Sequence, residues 1–187
     1  MTLRALALGV SLAALGSVAA SAADLIIPTT PEPIMAAAGF DWDGIYLGAH
    51  GGGFSYGDNG AAATTSGLIG AVAGVNFIVA DPILVGLEVG VDQYWNAAGN
   101  GQVYYFNLKA GAVVTDNVLL YALGGVGVDV NAGVNTGVYQ LGGGVEFAVT
   151  DAITIRGEVL GLGDFTDGAG DQFFEGAQAT VGLFYHF

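Results

Sequence analysis

Apolar and polar residues alternate along residues 83–95. One set of alternate positions is mostly apolar, and the other carries glycine and charged residues. The first set is Val85, Leu87, Val89, Val91, Gln93 and Trp95, and the second is Leu84, Gly86, Glu88, Gly90, Asp92 and Tyr94. Because successive side chains of a β-strand point to opposite faces, this alternation predicts a strand with one apolar face. The same pattern recurs over residues 120–128 and 153–159.

Short turn-forming segments recur along the chain at a constant interval. A spacing of 35 residues separates Asp81 from Asp116 and Asp116 from Asp151. A period of this length indicates a repeated structural unit. A membrane-crossing strand takes about 9–11 residues, so each period has room for two strands, one tight turn and one longer loop. Together with the stretch before the first turn, the repeats predict four hairpins and therefore eight strands.

The first 22 residues have the features of a secretory signal peptide. Arg4 precedes an apolar stretch over residues 5–18, and Ala20-Ser21-Ala22 has the small-x-small form of a cleavage site. A retained transmembrane helix is the alternative, and the Ala, Gly and Ser content together with the processing site favours cleavage. We therefore predict a signal peptide over residues 1–22, a periplasmic N-terminal leader over residues 23–40 and a barrel domain over residues 41–187.

Composition restricts the partners of the exported chain. After the signal peptide, Lys109 and Arg156 are the only Lys or Arg residues against 17 acidic ones, which disfavours nucleic acid as a partner. The chain has no cysteine, so no disulfide stabilises it. Its mean hydropathy of +0.61 is high for a soluble domain. We therefore expect part of its surface to contact something apolar outside its own core.

Two architectures give strands one apolar face: a soluble sandwich and a membrane barrel. A water-exposed face carries charge at about a quarter or more of its positions, whereas the polar face here is mostly glycine. Small residues that leave room for a few large ones are typical of a narrow barrel interior, and strands in lipid must close on themselves. The sequence therefore predicts an all-β fold: an eight-stranded antiparallel up-and-down transmembrane β-barrel. Its turns on the periplasmic side are short, and longer outer loops are predicted near residues 57–66, 97–101, 131–137 and 164–175.

Several short motifs together resemble the eight-stranded outer-membrane β-barrel family, most of all its small surface-antigen or porin-like branch in alphaproteobacteria. The motifs are Trp42-Asp43-Gly44-Ile45-Tyr46-Leu47-Gly48, Gly74-Val75-Asn76, Gly86-Leu87-Glu88, Gly124-Gly125, Gly144-Val145-Glu146 and the closing residues 181–187. The resemblance covers residues 40–187 and implies a location in the bacterial outer membrane. The chain departs from the family at residues 107–111, where an Arg-x-Arg-x-Gly run is common, and at His186, where the family has Arg.

These departures leave few cations for the predicted lumen. The predicted lumen polar network consists of Glu88, Lys109, Glu146, Arg156 and Glu158. Because an unpaired buried charge is costly, we expect one carboxylate to be protonated, hydrogen-bonded to Tyr or Asn, or solvated. We interpret the network as a plug that stiffens the barrel, since eight strands enclose an interior just filled by side chains. A narrow cation-tolerant pathway is the alternative.

The resemblance also implies roles for both ends of the mature chain. It implies that the barrel-assembly machinery reads the alternating C-terminal residues Val181, Leu183, Tyr185 and Phe187, which also fit a lipid-facing strand. It further implies that the mature N-terminus is attached to peptidoglycan, with Ala23 as the attachment point and Asp24 as part of the recognition. An inert N-terminal tail is the alternative.

Candidate chemistry is sparse, and we predict neither catalysis nor a cofactor or metal. The mature chain has two histidines, His50 and His186, and two serines, Ser55 and Ser66, without a familiar Ser-His-acid motif. The acidic segment 164–175 does not have the spacing of a helix-loop-helix calcium loop, so a solvated hairpin loop is favoured over divalent binding. The aromatic residues predicted to mark the outer interface girdle are Phe165, Phe173, Phe174, Trp95 and Tyr94.

The function predicted from the sequence is structural. We predict an outer-membrane barrel that supports envelope integrity and presents surface loops, with a narrow passive pore for small solutes as the alternative. A lipid-modifying enzyme is a more remote alternative. The predicted partners are outer-membrane lipid and lipopolysaccharide, the barrel-assembly machinery and peptidoglycan.

Overall fold

Eight antiparallel β-strands form a closed barrel. The computed structural model describes residues 39–57, 63–97, 99–165 and 173–187. The strands are β1 (Gly44–Tyr56), β2 (Thr64–Ala80), β3 (Ile83–Asn96), β4 (Gly99–Thr115), β5 (Val118–Asn131), β6 (Val134–Ala148), β7 (Ile153–Asp164) and β8 (Gly176–His186). Each strand pairs with its neighbour in sequence, and β1 closes the barrel against β8. The predicted fold class is confirmed. The predicted signal peptide and Ala23 and Asp24 lie outside the described residues.

The predicted turns join β2 to β3, β4 to β5 and β6 to β7. Asp81 and Asp116 each lie in a two-residue connection, and Asp151 lies in the connection over residues 149–152. In this last turn the Thr150 hydroxyl accepts hydrogen bonds from the backbone N–H groups of Ala152 at 3.3 Å and Ile153 at 3.0 Å. Such local side-chain bonds favour a turn over continued strand pairing. We call this end of the barrel the turn end.

The opposite end, which we call the loop end, differs most clearly from the sequence prediction at two of its four connections. β4 already begins at Gly99 and β6 at Val134, so the predicted loops 97–101 and 131–137 are wrong in extent. At the second site Ala132 and Gly133 have positive φ angles of 48° and 86°. Positive φ at both central residues is the conformation of a tight hairpin turn. Strand pairing therefore continues into segments that were predicted as loop, and Thr136 pairs with Asp129.

The predicted alternation separates the outer surface of the barrel from its lumen. On β3, Leu87 and Val89 are 40% and 54% exposed, whereas Glu88 between them is 2% exposed. Exposed apolar side chains continue around the barrel, and they include Ile45, Leu47, Ile69, Leu108, Leu120, Val126, Leu141, Val159, Val181 and Leu183. An apolar surface of this extent marks contact with a membrane or another protein.

Inward-facing glycines give the lumen room for large side chains of the neighbouring strands. A Cβ atom at Gly74 would lie 2.3 Å from the ring of Tyr46, and one at Gly48 would lie 2.0 Å from the ring of Phe184. Both distances are too short for a real contact, so a larger residue at either position would displace the ring from the neighbouring strand. The glycine-rich face predicted from the sequence is therefore a packed interior.

Aromatic and aliphatic side chains close the lumen at the turn end. Trp42, just before β1, is buried and packs with Leu84 and Leu119. The Phe40 ring meets the Trp42 ring edge-on at 4.7 Å, and the Phe40 backbone N–H donates to the Asp116 carbonyl at 3.1 Å. The last residue of the predicted leader thus takes part in an apolar cap over the barrel mouth.

Among the described residues, no helix is long and apolar enough to cross a membrane.

Candidate functional site

Glu88 is the first centre of a buried polar cluster in the turn half of the lumen. Its Oε1 atom accepts hydrogen bonds from the Tyr46 hydroxyl at 2.5 Å and from Arg156 Nη1 at 2.7 Å. Lys109 Nζ lies 3.4 Å from the same oxygen and donates to the Tyr46 hydroxyl at 2.9 Å. One carboxylate therefore meets two cations and a hydroxyl donor.

Glu146 is the second centre of this cluster. Its Oε2 atom accepts a hydrogen bond from Arg156 Nε at 3.0 Å, and its Oε1 atom accepts one from the Thr154 hydroxyl at 2.5 Å. His186 Nε2 lies 2.9 Å from Oε1. Arg156 thus joins Glu88 to Glu146 through different nitrogens of its planar fork, which an ammonium group could not do. We call these seven residues the inner network: Tyr46, Glu88, Lys109, Glu146, Thr154, Arg156 and His186.

Aromatic rings enclose the cations of the inner network. The Arg156 guanidinium lies 3.7 Å from the centre of the Phe184 ring, and Lys109 Nζ lies 4.5 Å from that of Tyr46 and 5.1 Å from that of Tyr121. Cation–π attraction is stronger where water is excluded, and the charged side chains here are at most 4% exposed. The charged side chains of the network are therefore closely packed, paired with opposite charge and almost fully shielded from solvent.

Glu158 is the third predicted lumen carboxylate, and it lies beside the inner network. Its Oε2 atom accepts a hydrogen bond from the Tyr121 hydroxyl at 2.7 Å. In the described part of the chain no cation lies within 4.0 Å of it. Hydrogen bonding to tyrosine is one of the arrangements expected for a surplus carboxylate. All five predicted lumen residues face the interior.

The loop half of the lumen contains a cavity of about 520 Å³. Its lining mixes carboxylates and amides with aromatic and aliphatic side chains. We call this cavity the outer vestibule, and its main lining residues are Phe54, Tyr56, Leu68, Asp92, Tyr94, Val103, Asp129, Asn131, Val138, Gln140, Leu162, Asp164 and Gln178. The side chains of the described residues therefore leave part of the interior unfilled in this half.

The floor of the outer vestibule separates it from the inner network. The His50 ring nitrogen Nε2 lies 2.9 Å from Asp92 Oδ1, and Gln140 Nε2 donates to Asn107 Oδ1 at 2.7 Å. Below them lies a space of about 10 Å³ lined in part by Glu88, Arg156 and Glu158. A space of this size holds about one water molecule. The two halves of the lumen thus differ sharply in packing.

The residues of the predicted C-terminal signal all face outward on β8 and just after it. Val181, Leu183, Tyr185 and Phe187 are exposed, while Phe184 and His186 between them are buried. The side chains predicted to be read during assembly are therefore also part of the apolar outer surface.

The predicted aromatic girdle needs one correction. Trp95, Phe165, Phe173 and Phe174 are exposed, but Tyr94 is buried in the lumen. Its inward position follows from strand alternation, because Trp95 beside it faces out. The predicted acidic loop is described only in part, since residues 166–172 lie outside the described ranges. The Tyr56 hydroxyl donates to its two ends, to Asp164 at 3.1 Å and to Glu175.

The histidines contact acids, and no serine–histidine contact is found in the described ranges. His50 pairs with Asp92 and His186 with Glu146, while the Ser66 hydroxyl accepts a hydrogen bond from Asn96 at 3.1 Å. Residues 39–57, 63–97, 99–165 and 173–187 contain no group of three His, Cys, Asp or Glu side chains able to hold a metal ion.

Sequence reasoning missed part of the inner network. Tyr46 lies on the same alternate positions of β1 as Gly48 and His50, so strand parity alone would have placed it in the lumen. Thr154 likewise shares the inward parity of Arg156 on β7. Trp42 precedes the strand, and no periodic signal predicts that it folds over the barrel mouth.

Comparisons with known proteins support the fold. The chain is similar to the crystal structure of Neisserial surface protein A, with a TM-score of 0.55 and 12% identity over 76% of this chain and 97% of that one. It is also similar to the N-terminal β-barrel domain of Pseudomonas aeruginosa OprF, with a TM-score of 0.51 and 14% identity over the same shares of each chain. No family model and no curated protein matches the sequence. The fold is that of the eight-stranded outer-membrane barrels.

Proposed function

We propose that this protein is a bacterial outer-membrane β-barrel that supports envelope integrity and presents its loop end at the cell surface. The observation that carries the proposal is the inner network, in which Arg156 ties Glu88 to Glu146 across the lumen. Strands far apart in the sequence are joined there by buried ion pairs. Such a cross-brace stiffens a barrel and obstructs its lumen.

The outer surface supports the membrane part of this proposal. Apolar side chains face outward on every strand, and the short connections at Asp81 and Asp116 lie at one end. Short periplasmic turns and an outward apolar band are typical of outer-membrane barrels. Lipid and lipopolysaccharide would contact this surface, after export by the predicted signal peptide and insertion by the barrel-assembly machinery through the C-terminal residues of β8.

We propose further that the barrel is not an enzyme and is tethered to the cell wall through Ala23. The support for the first point is that, among the described residues, His50 and His186 contact Asp92 and Glu146 and neither contacts a serine. The support for the second is the resemblance of the mature Ala-Asp N-terminus to that of wall-attached barrels. Digestion of purified cell walls and mass spectrometry of the remaining peptides tests the tether. A wall-linked peptide beginning at Ala23 is expected, and recovery of only free N-terminal peptides would contradict it.

Planar-bilayer conductance of the refolded mature protein tests the plugged barrel. Heat-modifiable gel migration first establishes that the barrel has formed, and protease protection in vesicles establishes insertion. The expected result is a silent bilayer, because the inner network leaves room for about one water molecule. Steady ohmic openings from folded, inserted protein would overturn the plug.

A narrow passive pore is the second candidate, and the outer vestibule of about 520 Å³ is the observation that favours it. Under this reading the inner network moves aside, and its cations then set selectivity. Lys109→Gln removes a positive charge from the pathway. The reversal potential measured across a salt gradient should therefore shift in the direction of greater cation selectivity. The exposed-turn variant Asp116→Asn, which changes one charge outside the lumen, is the matched control.

A further inference from the structure

The charges of the lumen are divided unequally between its two halves. Lys109 and Arg156, the two Lys or Arg residues outside the predicted signal peptide, both belong to the inner network. The outer vestibule is lined by Asp92, Asp129 and Asp164, with His50 in contact with the first of them. The vestibule therefore has an excess of negative charge inside a concave, partly dehydrated space.

Asp129 is held by one neutral donor, the Tyr94 hydroxyl. The Tyr94 hydroxyl lies 3.0 Å and 3.1 Å from its two carboxylate oxygens, and Asn131 Nδ2 donates to the Tyr94 oxygen at 2.9 Å. Hydrogen bonds of this kind fix the position of a carboxylate without neutralising its charge. The described residues place no cation within 4.0 Å of Asp129. A negative group is thus oriented at the edge of an open cavity, and low-dielectric walls concentrate its field there.

Part of the wall of the outer vestibule is apolar and aromatic. Leu68, Val103 and Leu162 line it together with Phe54, whose ring meets that of Tyr94 edge-on at 5.4 Å. Pockets for small organic ligands have volumes of about 300–1,000 Å³, mostly apolar walls and a few convergent polar groups. The vestibule lies within this range at about 520 Å³, and it combines this apolar wall with carboxylate, amide and hydroxyl groups.

We propose that the outer vestibule binds a small organic cation with an apolar body, such as an arylalkylamine. Its ammonium group would lie against Asp129, and its body would pack against Phe54 and Leu68. The Tyr94 ring beside both positions adds a cation–π surface. This site is separate from the inner network and from the envelope role proposed above, because it requires only that the barrel be closed.

The same geometry argues against other ligands. A carboxylate or phosphate ligand would meet like charge at Asp92 and Asp129, and a neutral ligand would leave Asp129 without a counter-ion. A bare divalent ion gains nothing from the apolar walls, and the described residues contain no three-acid group that could hold it. An organic cation satisfies the charge and the walls together.

Calorimetric titration of the refolded mature barrel with phenethylamine tests the proposal. Phenylacetate, which has the same ring with an opposite charge, and magnesium, which has charge without a ring, are the matched probes. The variant Asp129→Asn keeps the shape of the side chain and an acceptor for Tyr94, and Asp81→Asn makes the same charge change at the turn end. Asp164→Asn is a second vestibule variant in case Asp129→Asn does not give a heat-modifiable barrel.

Saturable binding of phenethylamine is expected, about tenfold or more weaker in Asp129→Asn and unchanged in Asp81→Asn, because a charged hydrogen-bond partner is lost only in the first. Raising the salt concentration should weaken binding further. Equal binding of phenylacetate would overturn the proposal in favour of a purely apolar cavity. Binding of magnesium without phenethylamine would overturn it in favour of an inorganic-cation site, and no binding of any probe would overturn it outright.

Discussion

Each half of the lumen contains a carboxylate that accepts a hydrogen bond from a tyrosine, but the two halves differ in how closely they are packed. In the inner network a tyrosine hydroxyl donates to Glu88, and in the outer vestibule another donates to Asp129. Only the first carboxylate also contacts Arg156 and Lys109. The half with cations is packed and nearly dry, whereas the half without them contains a cavity of about 520 Å³. For these two pairs, close packing accompanies direct contact with Arg156 and Lys109, and the open cavity accompanies their absence.

Desolvation explains this difference. Removing a carboxylate from water costs several kcal/mol, and close ion pairs with further hydrogen bonds offset that cost. Glu88 and Glu146 each receive at least three such contacts, so side chains can close over them. Asp129 has one hydroxyl donor and is only half-buried. The surrounding side chains therefore leave it access to water or to a ligand.

Loss of Arg156 should produce the largest change, because it removes the cation shared by two buried carboxylates. Arg156→Met keeps a long side chain but breaks both ion pairs, which costs about 3–5 kcal/mol. The urea midpoint of the refolded barrel should fall by a corresponding amount. Gel migration of unheated samples reports the folded fraction at each urea concentration. Arg156→Lys keeps the positive charge but not the planar guanidinium, so its urea midpoint should lie between those of wild type and Arg156→Met. Equal midpoints for wild type and Arg156→Met would contradict the role of the cation in packing.

Thiol accessibility measures the contrast between the halves directly, because the chain has no cysteine of its own. Thr136→Cys places a thiol in the outer vestibule, and Thr154→Cys places one beside Glu146. A small cationic methanethiosulfonate should modify the second about 100-fold more slowly, since a local opening must come first. The rates are read by mass spectrometry of barrels shown to be folded. Similar rates would mean that the inner network is open to solvent.

Substitution of two glycines that face tyrosine side chains compares the packing of the two halves of the lumen. A Cβ at Gly74 would lie 2.3 Å from the buried ring of Tyr46, and one at Gly101 would lie 2.3 Å from the Tyr94 hydroxyl beside the cavity. Overpacking a filled core costs about 1–3 kcal/mol, so Gly74→Ala should lower the urea midpoint substantially. Gly101→Ala should lower it less, because Tyr94 can shift into the vestibule. The reverse order would show that the loop half is the more tightly packed.

Glu158 should give the smallest effect among the lumen acids. Its contact is the Tyr121 hydroxyl, and the amide oxygen of Glu158→Gln can accept the same hydrogen bond. We expect a loss below about 1 kcal/mol for this variant, and about 1–3 kcal/mol for Glu88→Gln, which leaves buried donors poorly satisfied. Urea titration of both variants provides the comparison. A larger loss of stability for Glu158→Gln than for Glu88→Gln would show that Glu158, and not Glu88, is the more important charge-paired carboxylate.

Strand number, turn positions and facing direction were predictable from local patterns. Alternation placed Glu88, Lys109 and Arg156 in the lumen, and the 35-residue interval placed the turns at Asp81 and Asp116. The loop end was less predictable. Residues 99–101 and 134–137 contain Gly, Asn and Thr that read as loop, yet their backbones pair across tight turns. Strand pairing overrode local propensity there.

The sequence by itself determined which side chains enter the lumen, because alternation along a strand is a property of the backbone and needs no partner. It also determined that acids would outnumber cations there. Only the tertiary structure decided that Arg156 of β7 joins Glu88 of β3 to Glu146 of β6, and that Trp42 closes the turn end. Those contacts depend on the stagger of strands around a closed barrel. For the same reason only the structure revealed that the loop half is an open vestibule with an excess of negative charge.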